Sequence, residues 1–295
     1  MDGGPSPIAA FRAEVVSSSP RQKREPGAMG NDLVQVHVSG PVCELVLNRP
    51  EKRNALNGEL IAALREALEG TMRDSAVRVI VLGARGPAFS AGADLAELRR
   101  MQQASTLENW SDSRALMELF HLLYTLPRIT IARVHGPAVA GGCGLVSLCD
   151  FVLASPRARF GYPEVRIGFV PALVSVFLLR RIGEIQARRL LLGGELISAE
   201  EAHRIGLVTE LVPEEELEER TRGLAQELAR KSSLSAVALT KRLLADLPAQ
   251  GLESALQYAA LVNAFARSTP DCQAGIEAFL RGEPPPWAGP EQPSP

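Results

Sequence analysis

The sequence is poor in the residues that build metal sites and disulfide frameworks. Its 295 residues include only four cysteines and four histidines. Neither type occurs in a ligand spacing such as C-x-x-C or H-E-x-x-H. We therefore predict no metal site, and we interpret the cysteines as free thiols in a reducing compartment, which favours a cytoplasmic location.

Charge bias and long apolar runs are also lacking. The formal net charge is −2, which predicts no nucleic-acid-binding surface. No apolar stretch approaches the ~20 residues of a membrane-spanning helix, so we predict no membrane partner. Hydrophobic residues make up 46% of the chain, enough to bury a large core.

The two ends of the chain differ in composition from the middle. Residues 1–30 are rich in serine, proline, glycine and charge and are predicted to be a disordered tail, in which Met29 is an alternative start. A second disordered tail is predicted for residues 282–295. Between them we predict an α/β core over residues 31–212 and a helical segment over residues 213–281.

One local pattern occurs twice in the core. Residues 77–82 and 129–134 are apolar runs typical of buried strands, and each is followed by a glycine-rich bend and the start of a helix. Repetition of this unit predicts parallel strands joined by right-handed crossovers.

The second bend carries the strongest chemical signal. Residues 138–144 have small side chains or none, so a ligand could approach backbone amides at the helix start. Twenty residues after Gly144, Glu164 stands among aromatic and apolar residues, where burial would raise the pKa of its carboxyl group. Two other interpretations stay open at this point: a purely structural tight turn, or a dinucleotide-binding turn with Ser147 in place of the third glycine.

Three motifs follow one another along the chain: LNRP at 47–50 with RNAL at 53–56, AFSAGADL at 88–95, and AGGCGL at 140–145 followed by GYPEVRIG at 161–168. In this order they resemble the crotonase superfamily of enoyl-CoA hydratases and isomerases, and especially its bacterial hydratase-like members. The resemblance covers the chain from about residue 33 to residue 280.

The resemblance implies a fold, a site and a reaction. The fold would be the crotonase (ClpP-like) spiral of ββα units with a C-terminal helical segment. The backbone amides of Ala93 and Gly141 would stabilise a thioester enolate, and Glu164 would be the acid/base. The residues implied to bind the substrate are Arg53, Ala55, Ala91, Asp94, Leu95, Gly142 and Gly144. For Arg53, a solvated arginine without a phosphate partner is an equally good interpretation.

The resemblance further implies an acyl-CoA thioester of fatty acid metabolism as substrate, no cofactor besides the coenzyme A of that substrate, and a homotrimer or homohexamer. One departure from the family pattern matters. Two-glutamate hydratases carry a second glutamate where this chain has Gly144. We expect glycine at this position either because one carboxylate suffices or because the backbone there needs a positive φ. Hydration of a 2-enoyl-CoA is our first hypothesis, double-bond isomerisation the second, and acyl-CoA binding without turnover the third.

Overall fold

A mostly parallel six-stranded sheet forms the centre of the protein. The structure is a computed structural model that describes residues 33–288. The predicted tail of residues 1–30, with Met29, lies outside the described residues, as do residues 289–295. In spatial order the strands of this sheet are Val34–Ser39 (β1), Val42–Leu47 (β2), Val79–Ala84 (β3), Ile129–Val134 (β4), Phe151–Ala154 (β6) and Glu210–Leu211 (β9), and only the first pair is antiparallel.

The strand bounds follow the apolar runs of the sequence. A smaller sheet pairs β7 (Arg159–Gly161) with β5 (Ala138–Val139) and with β8 (Leu196–Ser198). The two apolar runs that precede the glycine-rich bends therefore form adjacent parallel strands, β3 and β4.

Ten α-helices surround the sheets in the described part of the chain. They are α1 (Gly58–Arg73), α2 (Leu95–Met101), α3 (Thr106–Thr125), α4 (Gly141–Leu148), α5 (Ala172–Gly193), α6 (Ala199–Arg204), α7 (Leu217–Lys231), α8 (Leu234–Asp246), α9 (Leu252–Ala266) and α10 (Pro270–Arg281). Helix α4 is buried from Gly142 to Leu148, because its short apolar residues fit between the sheet and helices α3 and α5.

The core has two parts on opposite faces of the large sheet. One face packs against α1, α3, α4 and α5 and contains the large buried side chains Phe89, Phe120, Phe160 and Tyr162. The other face is smaller and packs mainly against α7, through Leu217, Ala225 and Ala229. The pleat of β3 explains the division, since neighbouring side chains of a strand point to opposite faces.

The C-terminal segment extends further than its composition suggested. The composition places residues from Gly282 onward in a tail. In the structure the ring of Trp287 covers Gly275 of α10, so closely that a β-carbon on Gly275 would lie 2.8 Å from it. Glycine at residue 275 therefore provides the space for an aromatic side chain whose position no local pattern indicates.

Candidate active site

The turn before α4 exposes one backbone amide. Ala140 has a φ of 50° and a ψ of −124°, a conformation that L-residues rarely adopt. Its own amide donates to the carbonyl of Gly161 at 2.8 Å, and its carbonyl accepts from Gly144 at 2.9 Å. Gly141, the first residue of α4, has no carbonyl one turn earlier to bond, so its amide points out of the helix end.

A second amide is exposed in the loop before α2. Leu56 donates to the carbonyl of Gly92 at 2.6 Å and accepts from the amide of Asp94 at 3.0 Å. This short parallel bridge uses the carbonyl of Gly92 and the amide of Asp94, on either side of Ala93, and it leaves the Ala93 amide pointing away from Leu56. Within residues 33–288, neither the Ala93 amide nor the Gly141 amide donates a hydrogen bond.

The two loops touch each other. Gly92 has a φ of 88°, and a β-carbon there would lie 2.8 Å from the β-carbon of Ala140 and 2.9 Å from the carbonyl oxygen of Val139. Nearby, Val139 donates to the carbonyl of Ser90 at 2.9 Å. Ala93 and Gly141 directly follow the touching residues, so the two free amides belong to one small region of backbone.

The same region is tied to Glu164. Strand β5 pairs with β7 with Val139 opposite Gly161, and the chain then passes through buried Tyr162 into a 3₁₀-helix over Pro163–Ile167. Glu164 lies in the first turn of that helix and is half-buried. Glu164 therefore follows soon after Gly161, whose carbonyl accepts a hydrogen bond from the Ala140 amide.

The carboxylate of Glu164 has the environment of an acid/base group. Its Oε2 atom is buried, and no hydrogen-bond donor of the described residues reaches it. Burial raises the pKa of Glu164 above the ordinary glutamate value, because removal from water disfavours the charged form. A carboxyl group whose pKa is raised towards neutrality is suited to both taking up and returning a proton.

A network that sequence reasoning missed holds the two loops in place. Asn54 is fully buried, and its side-chain amide donates to the carbonyls of Arg85 and Ala88, at 2.8 and 2.9 Å. Arg49 donates to Asp94 at 2.6 Å and to the carbonyl of Ala55 at 3.0 Å. The sequence carries one signal for this network: Arg49 lies within the LNRP motif and Asn54 within the RNAL motif.

The residues predicted to bind substrate fall into three groups. Arg53, Ala91 and Leu95 are exposed. Ala55 and Asp94 are buried and serve the network above, and Asp94 also caps α2 by accepting from Ala96 at 2.8 Å. Gly142 and Gly144 are buried inside α4.

The positive φ considered for Gly144 is wrong. Gly144 lies inside α4 and is absent from the residues with positive φ. A β-carbon on Gly144 would lie 2.7 Å from Val174 and 2.9 Å from the ring of Phe120. Glycine is needed there because two large side chains fill the space, and the backbone angle has no part in it.

The chain has the crotonase fold. Over 87% of its length it superposes on 99% of the crystal structure of an enoyl-CoA hydratase from Mycobacterium smegmatis, with a TM-score of 0.81 and 33% identity. The sequence profile of the enoyl-CoA hydratase/isomerase family matches residues 37–290. The protein belongs to this family.

Curated relatives agree with this assignment. A protein of Thermus thermophilus that carries the provisional name enoyl-CoA hydratase is 48% identical over 86% of this chain and 99% of its own. The 2,3-dehydroadipyl-CoA hydratase of Escherichia coli is 35% identical over 83% of this chain and 94% of its own. The predictions of the crotonase fold and of an enzyme of this family are therefore confirmed.

Proposed function

We propose that the protein adds water across the double bond of a 2-enoyl-CoA. The observation that carries the proposal is the position of Glu164, a half-buried carboxylate whose Oε2 atom is buried without a hydrogen-bond donor. It lies on the segment that is tied to the turn before Gly141, whose amide is free. The names of the relatives from T. thermophilus and E. coli support hydration over other reactions of the family.

In the proposed reaction the oxygen of water bonds to C3 of the enoyl group while Glu164 takes one proton of the water. The electron pair of the double bond moves towards C1, and negative charge collects on the thioester oxygen. The amides of Ala93 and Gly141 stabilise that charge, and each such donor typically contributes about 2.7–4 kcal/mol. Glu164 then returns the proton to C2, which leaves a 3-hydroxyacyl-CoA.

Double-bond isomerisation is a second candidate, favoured by the packing around Gly144. Phe120 and Val174 fill the position from which two-glutamate hydratases present their other carboxylate. Moving a double bond from C3 to C2 requires one base, which removes a proton from C2 and returns it at C4. Glu164 alone can carry out both transfers through the same enolate.

The coenzyme A part of the substrate is assigned to the two loops that frame the amides. Exposed Arg53 lies beside the paired backbone of residues 54–56 and 91–94. A guanidinium group suits phosphate oxygens in charge and geometry. We therefore propose that Arg53 contacts a phosphate of coenzyme A, while the exposed backbone at Ala91 and Leu95 borders the pantetheine.

We also propose that copies of the chain assemble, as a trimer or a pair of trimers. Large apolar side chains are exposed on α9 and α10 and on the segment after Glu164, among them Ile167, Val170, Leu256, Phe279 and Leu280. Exposed apolar surface of this extent marks contacts between proteins. Light scattering of the purified protein at several concentrations measures the assembly, and a strictly monomeric mass would contradict it.

A reducing compartment, the cytoplasm, is the proposed location, and fatty acid metabolism the proposed context. All four cysteines are free thiols, three of them buried, as is usual where disulfides do not persist. No helix among residues 33–288 is long and apolar enough to cross a membrane. Cell fractionation followed by immunoblotting tests the location, and recovery outside the cytoplasmic fraction would contradict it.

The experiment that tests the function compares two reactions on the same protein. The purified chain is incubated with 2-enoyl-CoA in ¹⁸O-labelled water and, separately, with 3-enoyl-CoA, over a series of acyl lengths. Mass spectrometry is expected to show ¹⁸O at C3, which would support hydration. Conversion of 3-enoyl to 2-enoyl thioester with little ¹⁸O would make isomerisation the function, and tight binding without either product would leave an acyl-CoA-binding protein.

A further inference from the structure

The far end of α4 contacts a cation. Arg181 of α5 donates through one terminal nitrogen, Nη1, to the carbonyl of Cys149 at 2.5 Å and to that of Ser147 at 3.5 Å, and through Nε to the carbonyl of Leu207 at 3.0 Å. Ser147 lies in the last turn of the helix that begins at Gly141, and Cys149 is the residue that caps its C-terminus. Because the last carbonyls of a helix lack partners within it, Arg181 caps α4.

The charge of Arg181 has no counter-ion in the described part of the chain. No carboxylate lies within salt-bridge distance of its guanidinium group. Asp150 is the acidic residue that acts on it electrostatically, but the Asp150 carboxylate is itself paired with Lys241 at 2.7 Å. Burial raises the pKa of the Cys143 and Cys149 thiols to about 12, so both stay neutral.

The guanidinium group of Arg181 and the Gly141 amide are therefore at opposite ends of the short helix α4. Helix α4 has eight residues and is about 12 Å long, at about 1.5 Å per residue. A positive charge at a helix C-terminus stabilises the helix dipole, and it also attracts negative charge at the other end through an interior that screens poorly. Arg181 is half-buried, and holding its charge partly out of water without a carboxylate partner is costly, which indicates a use for it.

We propose that Arg181 is a positioning residue for the proposed acyl-CoA reaction: it fixes α4 and lowers the energy of negative charge on the thioester oxygen at the Gly141 amide. The proposal rests on the proposed function, because it needs a thioester at that amide. Arg181 touches no reacting atom and acts through the helix between them.

The charge of Arg181 can be separated from its hydrogen bonds by two variants. Arg181→Lys keeps the charge with fewer donors, and Arg181→Gln keeps a donor without the charge. The matched control is Arg188→Met on the same helix, since Arg188 is exposed and pairs only with the exposed Glu184. The probe is butyryl-CoA labelled with ¹³C at C1, which binds but has no double bond to hydrate.

Isotope-edited infrared difference spectra report how strongly the bound carbonyl is polarised. We expect a shift to lower wavenumber in the wild-type protein, a similar shift in Arg181→Lys and Arg188→Met, and a smaller one in Arg181→Gln. The kcat of Arg181→Gln should fall about two- to fivefold, the factor that corresponds to the contribution of a charge at a helix terminus, while KM changes little.

Each contrary outcome has its own meaning. Equal carbonyl shifts in the Gln and Lys variants, with only a lower melting temperature, would show that Arg181 is merely structural and overturn this proposal while the proposed function stands. Failure of the wild-type protein to bind butyryl-CoA, or binding without a carbonyl shift, would overturn the proposed function and this inference with it.

Discussion

The ring of Phe120 on α3 fills the space that a side chain at Gly144 of α4 would occupy. A β-carbon on Gly144 would lie 2.9 Å from the Cζ atom of the Phe120 ring, and 2.7 Å from Val174 on its other side. Real β-carbons essentially never come so close to other atoms. The position of the missing second glutamate is thus closed by packing, and the proposed reaction leaves the acid/base chemistry to Glu164.

Gly144→Glu is expected to destabilise the protein and to leave hydration no faster. Overpacking of a buried site typically costs about 1–3 kcal/mol, and a carboxylate forced against Phe120 is not aimed at substrate. Urea unfolding and ¹⁸O incorporation measure the two effects. Gly223→Glu is the matched control, because Gly223 is also within a helix but a β-carbon added to it would have no atom within 4 Å.

The double variant Gly144→Glu, Phe120→Ala separates the steric effect of the new side chain from the catalytic effect of its carboxylate. Removing the ring makes room for the new side chain, so hydration should rise relative to Phe120→Ala alone if a second carboxylate helps to activate water. Faster hydration by the single variant Gly144→Glu would show that the Phe120 ring moves aside and that packing does not close the position.

Glu164→Gln should abolish most turnover while acyl-CoA binding is retained. Loss of a general acid/base typically lowers the rate by about 10²–10⁴-fold, whereas the amide keeps the size of the side chain. Steady-state kinetics and calorimetry with a saturated acyl-CoA measure turnover and binding. Glu184→Gln, an exposed glutamate in a surface pair, is the control, and near-wild-type turnover of Glu164→Gln would reject the assignment.

The pH dependence should show the raised pKa of Glu164. The reaction needs the ionised carboxylate, so kcat/KM falls as the pH drops through a value above that of an ordinary glutamate. The pKa of this carboxyl group is higher in the folded protein than in the unfolded chain. Its ionisation therefore lowers the free energy of unfolding as the pH increases from the unfolded-state pKa to the folded-state pKa. Glu164→Gln should therefore unfold at the same or higher urea concentration at neutral pH, and clear destabilisation there would contradict this.

Asp94→Asn should destabilise the protein by about 1–3 kcal/mol at neutral pH, since it breaks a largely buried charge-assisted hydrogen bond with Arg49. The Arg49 guanidinium and the Ala96 amide lower the pKa of Asp94. This contribution is therefore present above the unfolded pKa and is lost as pH falls through the folded pKa.

The stability difference between Asp94→Asn and wild type should accordingly shrink in acid, as measured by urea unfolding at several pH values. Glu227→Gln breaks an exposed pair with Lys231 and serves as the control, with an expected cost of at most about 0.5 kcal/mol. Equal costs for the two variants at neutral pH would show that the Arg49–Asp94 pair has no special weight.

Turnover is expected to be independent of metal ions. Among residues 33–288, no group of three histidine, cysteine or acidic side chains is arranged to hold one, and the proposed chemistry uses backbone amides and Glu164. Activity should survive dialysis against a chelator. Loss of activity that added Zn²⁺ or Mg²⁺ restores would contradict the proposal.

Local sequence patterns were sufficient to locate the two strands that precede the glycine-rich bends and the helical character of the C-terminal segment. The apolar run of β4 has the bounds Ile129–Val134 in both the sequence interpretation and the structure. Helix α10 begins at Pro270 after the Thr269 cap, and proline suits the first helical position because its missing N–H has no partner there. These features depend on neighbours in the chain, which is why one sequence can indicate them. The short strands β5, β7 and β8 escaped detection, because two or three residues carry no periodicity.

The order of amino acids decides which groups are available: a glycine-rich turn, a loop ending in Ala93, and Glu164 among apolar neighbours. How these groups meet depends on tertiary packing alone. Gly92 fits against Ala140, the Ala140 amide bonds to Gly161, and Phe120 occupies the space beside Gly144. Those partners are between 21 and 48 positions apart in the chain, and contacts over such separations depend on how the sheet and helices pack, which no local pattern records.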